Sequence, residues 1–148
     1  MSIKKQILKN NIVLVTEPIA TSKTVAIGFW FSVGSRYEVE NQSGITHFVE
    51  HMIFKGTPNR TAYEIACSFD RIGGYVNAFT ERELVCLHCV VPAQYAEFAL
   101  EILTDMTHNA LFLEQDVNKE RSVIESEIIS AQDDPEEACL DTVIDCVF

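Results

Sequence analysis

The feature that most constrains the fold is a short amphipathic segment, residues 45 to 53, which reads Ile-Thr-His-Phe-Val-Glu-His-Met-Ile. On a helix, positions i, i+3 and i+4 share one face, so His47, Glu50 and His51 would project together. The apolar side chains form a broad face of their own: Ile45, Phe48, Val49, Met52 and Ile53. The pattern predicts a helix packed against a core, with the His/Glu face opposite.

The His/Glu face has the composition of a metal site. Two neutral imidazoles at this spacing suit zinc, and a catalytic zinc binds three protein ligands and leaves a fourth position open. Glu50 would then be free of the metal. It could act as a general base, taking a proton from water that the metal acidifies and passing it to a leaving amine. The order HxxEH is the inverse of the commoner HExxH. The alternative interpretation is a solvated polar face of an ordinary helix.

A second helical pattern, from about Glu114 to Gln132, offers a third ligand. One stripe of this helix should face inward, and it contains Val117, Glu120, Ile124, Glu127 and Ala131. Burial of an ionised carboxylate is costly unless the group is paired or bound to a cation, and a metal would remove the conflict. We therefore predict Glu127 as the third ligand and Glu120 as a partner that orients a ligand histidine. The alternative is that both are surface glutamates of a charged helix.

The two patterns belong to a longer series of short motifs. They are Gly-Ser-Arg-Tyr-Glu at 34 to 38, Gly-Ile-Thr-His-Phe-Val-Glu-His-Met-Ile-Phe-Lys-Gly-Thr at 44 to 57, Gly-Gly-Tyr-Val-Asn-Ala-Phe-Thr at 73 to 80, Glu-Arg-Ser-Val-Ile at 120 to 124 and Asp-Asp-Pro at 133 to 135. The series resembles the pitrilysin family of zinc peptidases, and within it the mitochondrial processing peptidase branch and its bacterial relatives. The resemblance implies that His47, His51 and Glu127 bind one zinc ion per chain. It also implies that Glu50 is the catalytic base and that Glu120 lies near the site.

The resemblance further implies a peptide substrate. Asn77, Ala78 and Phe79 match an edge strand that pairs with the backbone of an extended peptide in the family, a mode known as β-augmentation. The alternative for Asn77 is that it only tolerates an unusual strand end.

Family members are much longer and consist of two similar halves that close around the substrate. We therefore expect residues 1–148 to be an N-terminal zinc-binding peptidase domain, incomplete at its C-terminus and inactive without the second half or a homologous subunit. The apolar positions of the last predicted helix, Pro135 to Phe148, could also pack against another copy in a homodimer. A non-catalytic partner subunit is one alternative, although the intact HxxEH argues against it. An S-ribosylhomocysteine-cleaving lyase also has an HxxEH-type motif, but it uses a cysteine as third ligand where this chain offers Glu127.

Composition narrows the partners and the compartment. The chain has 22 acidic and 11 basic residues, and its net charge of -11 argues against nucleic acids and membrane surfaces. The sequence shows neither an apolar run of transmembrane length nor a signal-peptide core, so we expect a cytoplasmic protein. Cys86 and Cys89 fall in one predicted strand, where an i, i+3 pair points to opposite faces, so we expect free thiols.

The predicted fold class is α+β, with a mixed, mainly antiparallel sheet and helices packed on one face. The predicted element order is βββααββααα. Ser43 is the predicted N-cap of the His/Glu helix, and Thr61 to Glu64 form a capping box. The predicted strands are Ile3 to Leu8, Ile12 to Thr16, Val25 to Val33, Tyr75 to Phe79 and Leu84 to Val91, and the later helices span Pro92 to His108, Glu114 to Gln132 and Pro135 to Phe148.

Overall fold

The structure, a computed structural model, describes residues 3–147 and has the predicted element order. The strands are β1 (Lys4–Ile7), β2 (Val13–Thr16), β3 (Thr24–Phe31), β4 (Tyr75–Thr80) and β5 (Val85–Pro92). The helices are α1 (Ile45–Met52), α2 (Ala62–Arg71), α3 (Ala96–Asn109), α4 (Glu114–Asp133) and α5 (Pro135–Val147). The predicted last helix is therefore present, and its final residue, Phe148, lies outside the described residues.

The five strands form two antiparallel sheets. β1 and β2 make a hairpin whose turn contains Asn11 in the left-handed region, with φ 64. The other sheet has the order β3-β5-β4, with β5 antiparallel to both neighbours. The expectation of an antiparallel α+β fold is confirmed. The expected mixed sheet is replaced, among the described residues, by two purely antiparallel ones, because β1 and β2 pair only with each other.

The core lies between the three-stranded sheet and helices α2 and α3. Alternation along β5 directs Leu87, Cys89 and Val91 toward these helices. The helices contribute Ile65 and Phe69 from α2, and Ala99, Ile102, Leu103 and Met106 from α3. Helices therefore cover one face of this sheet, as predicted. The other face carries Trp30, whose side chain is 65% exposed.

The two cysteines of β5 confirm the prediction from strand alternation. Cys89 belongs to the core cluster on the helix side, whereas Cys86 pairs with Trp30 and Phe79 in the register of the sheet. Both cysteines are buried and free, and burial raises the pKa of both thiols. Buried neutral thiols on opposite faces of a strand are packing residues.

Helix boundaries agree with the sequence where a local signal exists. The capping box of α2 is confirmed, since Thr61 Oγ1 accepts from the backbone N–H of Glu64 and the Glu64 carboxylate accepts from that of Thr61. The helix predicted from Pro92 starts later, at Ala96, because Pro92 completes β5 and a 3-10 turn, Ala93–Tyr95, intervenes.

Among residues 3–147, no helix is both long enough and apolar enough to span a bilayer.

Candidate metal centre

The helix that carries the HxxEH motif begins differently from the prediction. Gly44 is its N-cap, with φ 84, and makes no side-chain cap. The Glu38 carboxylate accepts instead, from the backbone N–H of Gly44 at 2.7 Å and of Thr46 at 2.8 Å. Burial alone would raise the pKa of Glu38, but hydrogen bonds from Thr46 and Gly44 lower it below its usual value. The prediction of Ser43 as N-cap is wrong, because a charged group from the preceding loop satisfies these donors.

The apolar face of α1 is narrower than its sequence suggests. Met52 is fully buried, and Phe48 and Ile53 are half-buried. Ile45 and Val49 are 48% and 40% exposed, so the expectation that they pack against a core is wrong within the described chain. The helix rests on the core through its C-terminal end, and its ionisable face is half-buried, with His51 in contact with Glu120 of α4 and Glu50 in contact with Thr80 of β4.

The structure brings the three predicted ligands together. One ligand atom from each of His47, His51 and Glu127 lies within 4.8 Å of the others. The Nε2 atoms of the two histidines are 3.1 Å apart, and Glu127 Oε2 lies 3.5 Å from His51 Nε2. The imidazole rings are nearly perpendicular, at 84°, so their nitrogen edges face each other instead of stacking. Two imidazole nitrogens and a carboxylate oxygen thus converge on one point.

This donor set fits a zinc ion. Nitrogen and oxygen ligands bind zinc at about 2.0–2.1 Å, and in a tetrahedral arrangement such ligand atoms lie about 3.3–3.4 Å apart. The His47–His51 and His51–Glu127 separations of 3.1 and 3.5 Å bracket that value, and the remaining His47–Glu127 pair lies within 4.8 Å. Two histidines and one carboxylate are also a donor combination typical of catalytic zinc.

Glu120 contacts one of the two histidines. Its Oε1 atom lies 2.9 Å from His51 Nδ1. A proton on Nδ1 would be donated to this carboxylate, which leaves the lone pair of Nε2 directed at His47 and Glu127. The second oxygen, Oε2, lies 2.5 Å from the ammonium of Lys55. Burial alone would raise the pKa of Glu120, but the hydrogen bonds from Lys55 and His51 lower it below its usual value.

The two glutamates of α4 differ in exposure. The side chain of Glu120 is 7% exposed and that of Glu127 is 50% exposed. The prediction that both glutamates face inward is therefore correct for Glu120. It is only partly correct for Glu127, whose carboxylate approaches His51 from the solvent-exposed side of α4. Pairing with Lys55 and His51 offsets the free-energy cost of burying the Glu120 carboxylate.

Glu50 stands apart from the ligand set. Its carboxylate accepts a hydrogen bond from the hydroxyl of Thr80, the last residue of β4. This contact joins the HxxEH helix to the strand that contains Asn77, Ala78 and Phe79. β4 is at the edge of its sheet, as expected for a strand that could pair with a peptide.

The three predicted substrate-binding residues do not share one environment. Ala78 is buried on the helix side, while Phe79 points to the other face and contacts the Trp30 ring edge-on, with ring centroids 5.9 Å apart. Asn77 Oδ1 accepts from the backbone N–H of Ala78, so Asn77 has a local structural contact. Their role toward a peptide stays a prediction.

Sequence reasoning missed a buried carboxylate that anchors the loop after α1. Asp105, on α3, accepts hydrogen bonds from Thr57, Asn59, Arg60 and Asn109. Burial would raise the pKa of Asp105, but these four donors lower it to about 2. A signal was present, because Asp105 lies between the apolar residues of α3 that form the core. Lys55, also missed, is in the loop that this network anchors.

Comparison with known proteins places this geometry in context. The family model described as Insulinase (Peptidase family M16) matches residues 13–147. A Bacillus subtilis protein named "Uncharacterized zinc protease YmxG" is 44% identical over 135 residues, which are 91% of this chain and 33% of that relative. An Arabidopsis thaliana protein named "Probable mitochondrial-processing peptidase subunit beta" is 38% identical over 134 residues, 90% of this chain and 25% of that relative.

Solved structures share the fold. The crystal structure of the first half of the periplasmic protease PqqL from Escherichia coli superposes with a TM-score of 0.82 at 26% identity, over 91% of this chain and 30% of that one. The chain spans about a third of the length of the curated relatives it matches, with shares of 33%, 34% and 34% for three of them.

Proposed function

Because the chain belongs to the insulinase family of peptidases, M16, we propose that it is the zinc-binding part of a metalloendopeptidase that cleaves extended peptides. The observation that carries the proposal is the convergence of His47, His51 and Glu127 on one point, with Glu50 on the same helix but outside the ligand set. Relatives named zinc proteases support the choice of metal.

Each residue has a proposed task. His47, His51 and Glu127 would hold one zinc ion per chain. When bound, the ion would supply a Lewis acid, which lowers the pKa of water and polarises a carbonyl group. Glu50 accepts the proton of the attacking water and delivers it to the leaving amine. Thr80 fixes the direction of the Glu50 carboxylate through its hydrogen bond.

The substrate is proposed to bind along β4. An edge strand has free backbone N–H and C=O groups, and an extended peptide can add to it as a further strand with little regard to sequence. Thr80 ends this strand and contacts Glu50, so a peptide paired with β4 would pass the proposed base. Asn77, Ala78 and Phe79 would set its register.

Metal analysis tests the site directly. Wild-type chain loaded with zinc and freed of excess should retain one zinc per chain, and His51→Ala should lose it. His108→Ala is the matched control, because His108 is an exposed histidine at the end of α3. A folded wild-type chain that retains no zinc, or an equal loss in both variants, would refute the ligand set.

Peptide cleavage tests the base. Relatives are about three times longer, so we propose that the active form is a longer polypeptide, or this chain with a homologous subunit. In that form Glu50→Gln should abolish cleavage and leave the zinc content unchanged. Cleavage that survives in Glu50→Gln would exclude Glu50 as the base. The cytoplasmic location and the homodimer stay predictions.

A further inference from the structure

The side chain of Lys55 approaches the proposed zinc site without touching a proposed ligand. Its ammonium lies 2.5 Å from Glu120 Oε2, and the other oxygen of the same carboxylate lies 2.9 Å from His51 Nδ1. We propose that Lys55 is a positioning residue, which holds His51 through Glu120 in the orientation and tautomer that zinc binding requires. The inference rests on the proposed function and adds a residue to its machinery.

The geometry gives each oxygen of Glu120 a separate partner. A carboxylate with only one partner can rotate about its last side-chain bond, and its hydrogen bond to an imidazole then loses direction. Here Lys55 occupies Oε2, so Oε1 stays aimed at His51 Nδ1. The Glu120 side chain is well shielded, at 7% exposed, and that of Lys55 is partly exposed, at 32%, so competition from water is reduced mainly at the carboxylate.

The backbone on both sides of Lys55 is fixed. Its own N–H donates to the carbonyl of Met52, at the end of α1. The following residue, Gly56, accepts from the N–H of Leu111 through its carbonyl, and Thr57 donates its hydroxyl to Asp105 at 2.7 Å. A lysine on a mobile loop would lose backbone as well as side-chain freedom on pairing. Here the backbone is already fixed by these contacts, so pairing with Glu120 restricts mainly the side chain.

Two features separate positioning from ordinary stabilisation. An ion pair that only stabilised the fold would change the free energy of unfolding and leave the protonation pattern of His51 unaltered. A positioning residue changes the tautomer of His51 and the affinity for zinc in a protein that remains folded.

The experiment compares wild type with Lys55→Met, which keeps the length of the side chain and removes its charge and donors. Zinc affinity is measured by competition with a chromophoric chelator, and the tautomer of His51 by nitrogen-15 NMR of the zinc-free chain. We expect about 10-fold weaker zinc binding in Lys55→Met and the appearance of Nε2-protonated His51.

Lys55→Arg, which keeps the charge, should recover most of the affinity. Lys119→Met, next to Glu120 in sequence but 75% exposed and paired with Asp116, should match wild type.

The outcomes are distinguishable. Unchanged zinc affinity and tautomer in a folded Lys55→Met protein would overturn the inference and leave the zinc site intact. An equal loss in Lys119→Met would also overturn it, because the effect would then be one of net charge. A wild-type His51 already protonated on Nε2 would refute it whatever the variants do, including a variant that fails to fold. A wild-type chain that binds no zinc would refute the proposed function itself.

Discussion

Asp105 gives the clearest test of how the loop after α1, next to the candidate metal centre, is held. Its buried carboxylate receives four hydrogen bonds, from Thr57, Asn59, Arg60 and Asn109. Asp105→Asn keeps the size of the side chain and removes its charge. The amide cannot accept on both of its terminal atoms, so at least one of these donors loses its partner.

The magnitude follows from the pKa of Asp105. It falls from 3.8 to about 2 in the folded protein, because the four hydrogen bonds outweigh the effect of burial. At 1.36 kcal/mol per pKa unit, the ionised form contributes about 2 kcal/mol to the free energy of unfolding. The folded pKa is the lower one, so this contribution is fully present above about pH 4 to 5 and is lost as the pH falls toward 2.

The assay is urea unfolding of wild type and Asp105→Asn at pH values from 7 to 2. The difference in unfolding free energy between the two proteins should be largest at neutral pH and shrink by about 2 kcal/mol at the acid end. Other titrating groups largely cancel in this difference. Asp70→Asn, at an exposed position of α2, is the control and should show no comparable change. A difference that stays constant with pH would refute the reasoning.

Two further predictions concern α1 and its surroundings. Glu38→Ala removes the carboxylate that accepts from Gly44 and Thr46, and should lower the unfolding free energy by about 1 kcal/mol, measured in urea. Thr80→Val removes the hydroxyl that donates to Glu50, and should reduce the turnover of the longer polypeptide about 10-fold with its zinc content unchanged, measured by peptide cleavage and metal analysis.

Each of these predictions has a matched control. Glu40→Ala, two residues after Glu38 and exposed, should leave stability unchanged within about 0.5 kcal/mol. Thr80→Ser keeps the hydroxyl and should keep most of the turnover. Equal stability of the Glu38→Ala and wild-type proteins would show that the cap contributes nothing, and full turnover in Thr80→Val would show that Glu50 needs no such contact.

Local sequence signals predicted the elements well. The capping box of Thr61 and Glu64, the alternation in β5 and the His/Glu spacing of α1 each depend on neighbours within a few residues, and each appears as expected. The start of α1 differs from the prediction, because the carboxylate that caps it belongs to Glu38, several residues earlier in the chain. The strands also form two antiparallel sheets instead of the single mixed sheet that was predicted, since the choice of strand partners depends on how distant segments meet.

The sequence by itself determined that His47, Glu50 and His51 share a helix face, because the helical repeat alone dictates it. It also identified Glu120 and Glu127 as carboxylates that a helix would present on one stripe. Only the tertiary structure decided which side chains those carboxylates contact. His51 and Glu120 are 69 positions apart, and their contact depends on how α1 and α4 pack. The same packing pairs Glu120 with Lys55 and leaves the Glu127 side chain half exposed. The path of the backbone between distant elements decides which charged side chains meet.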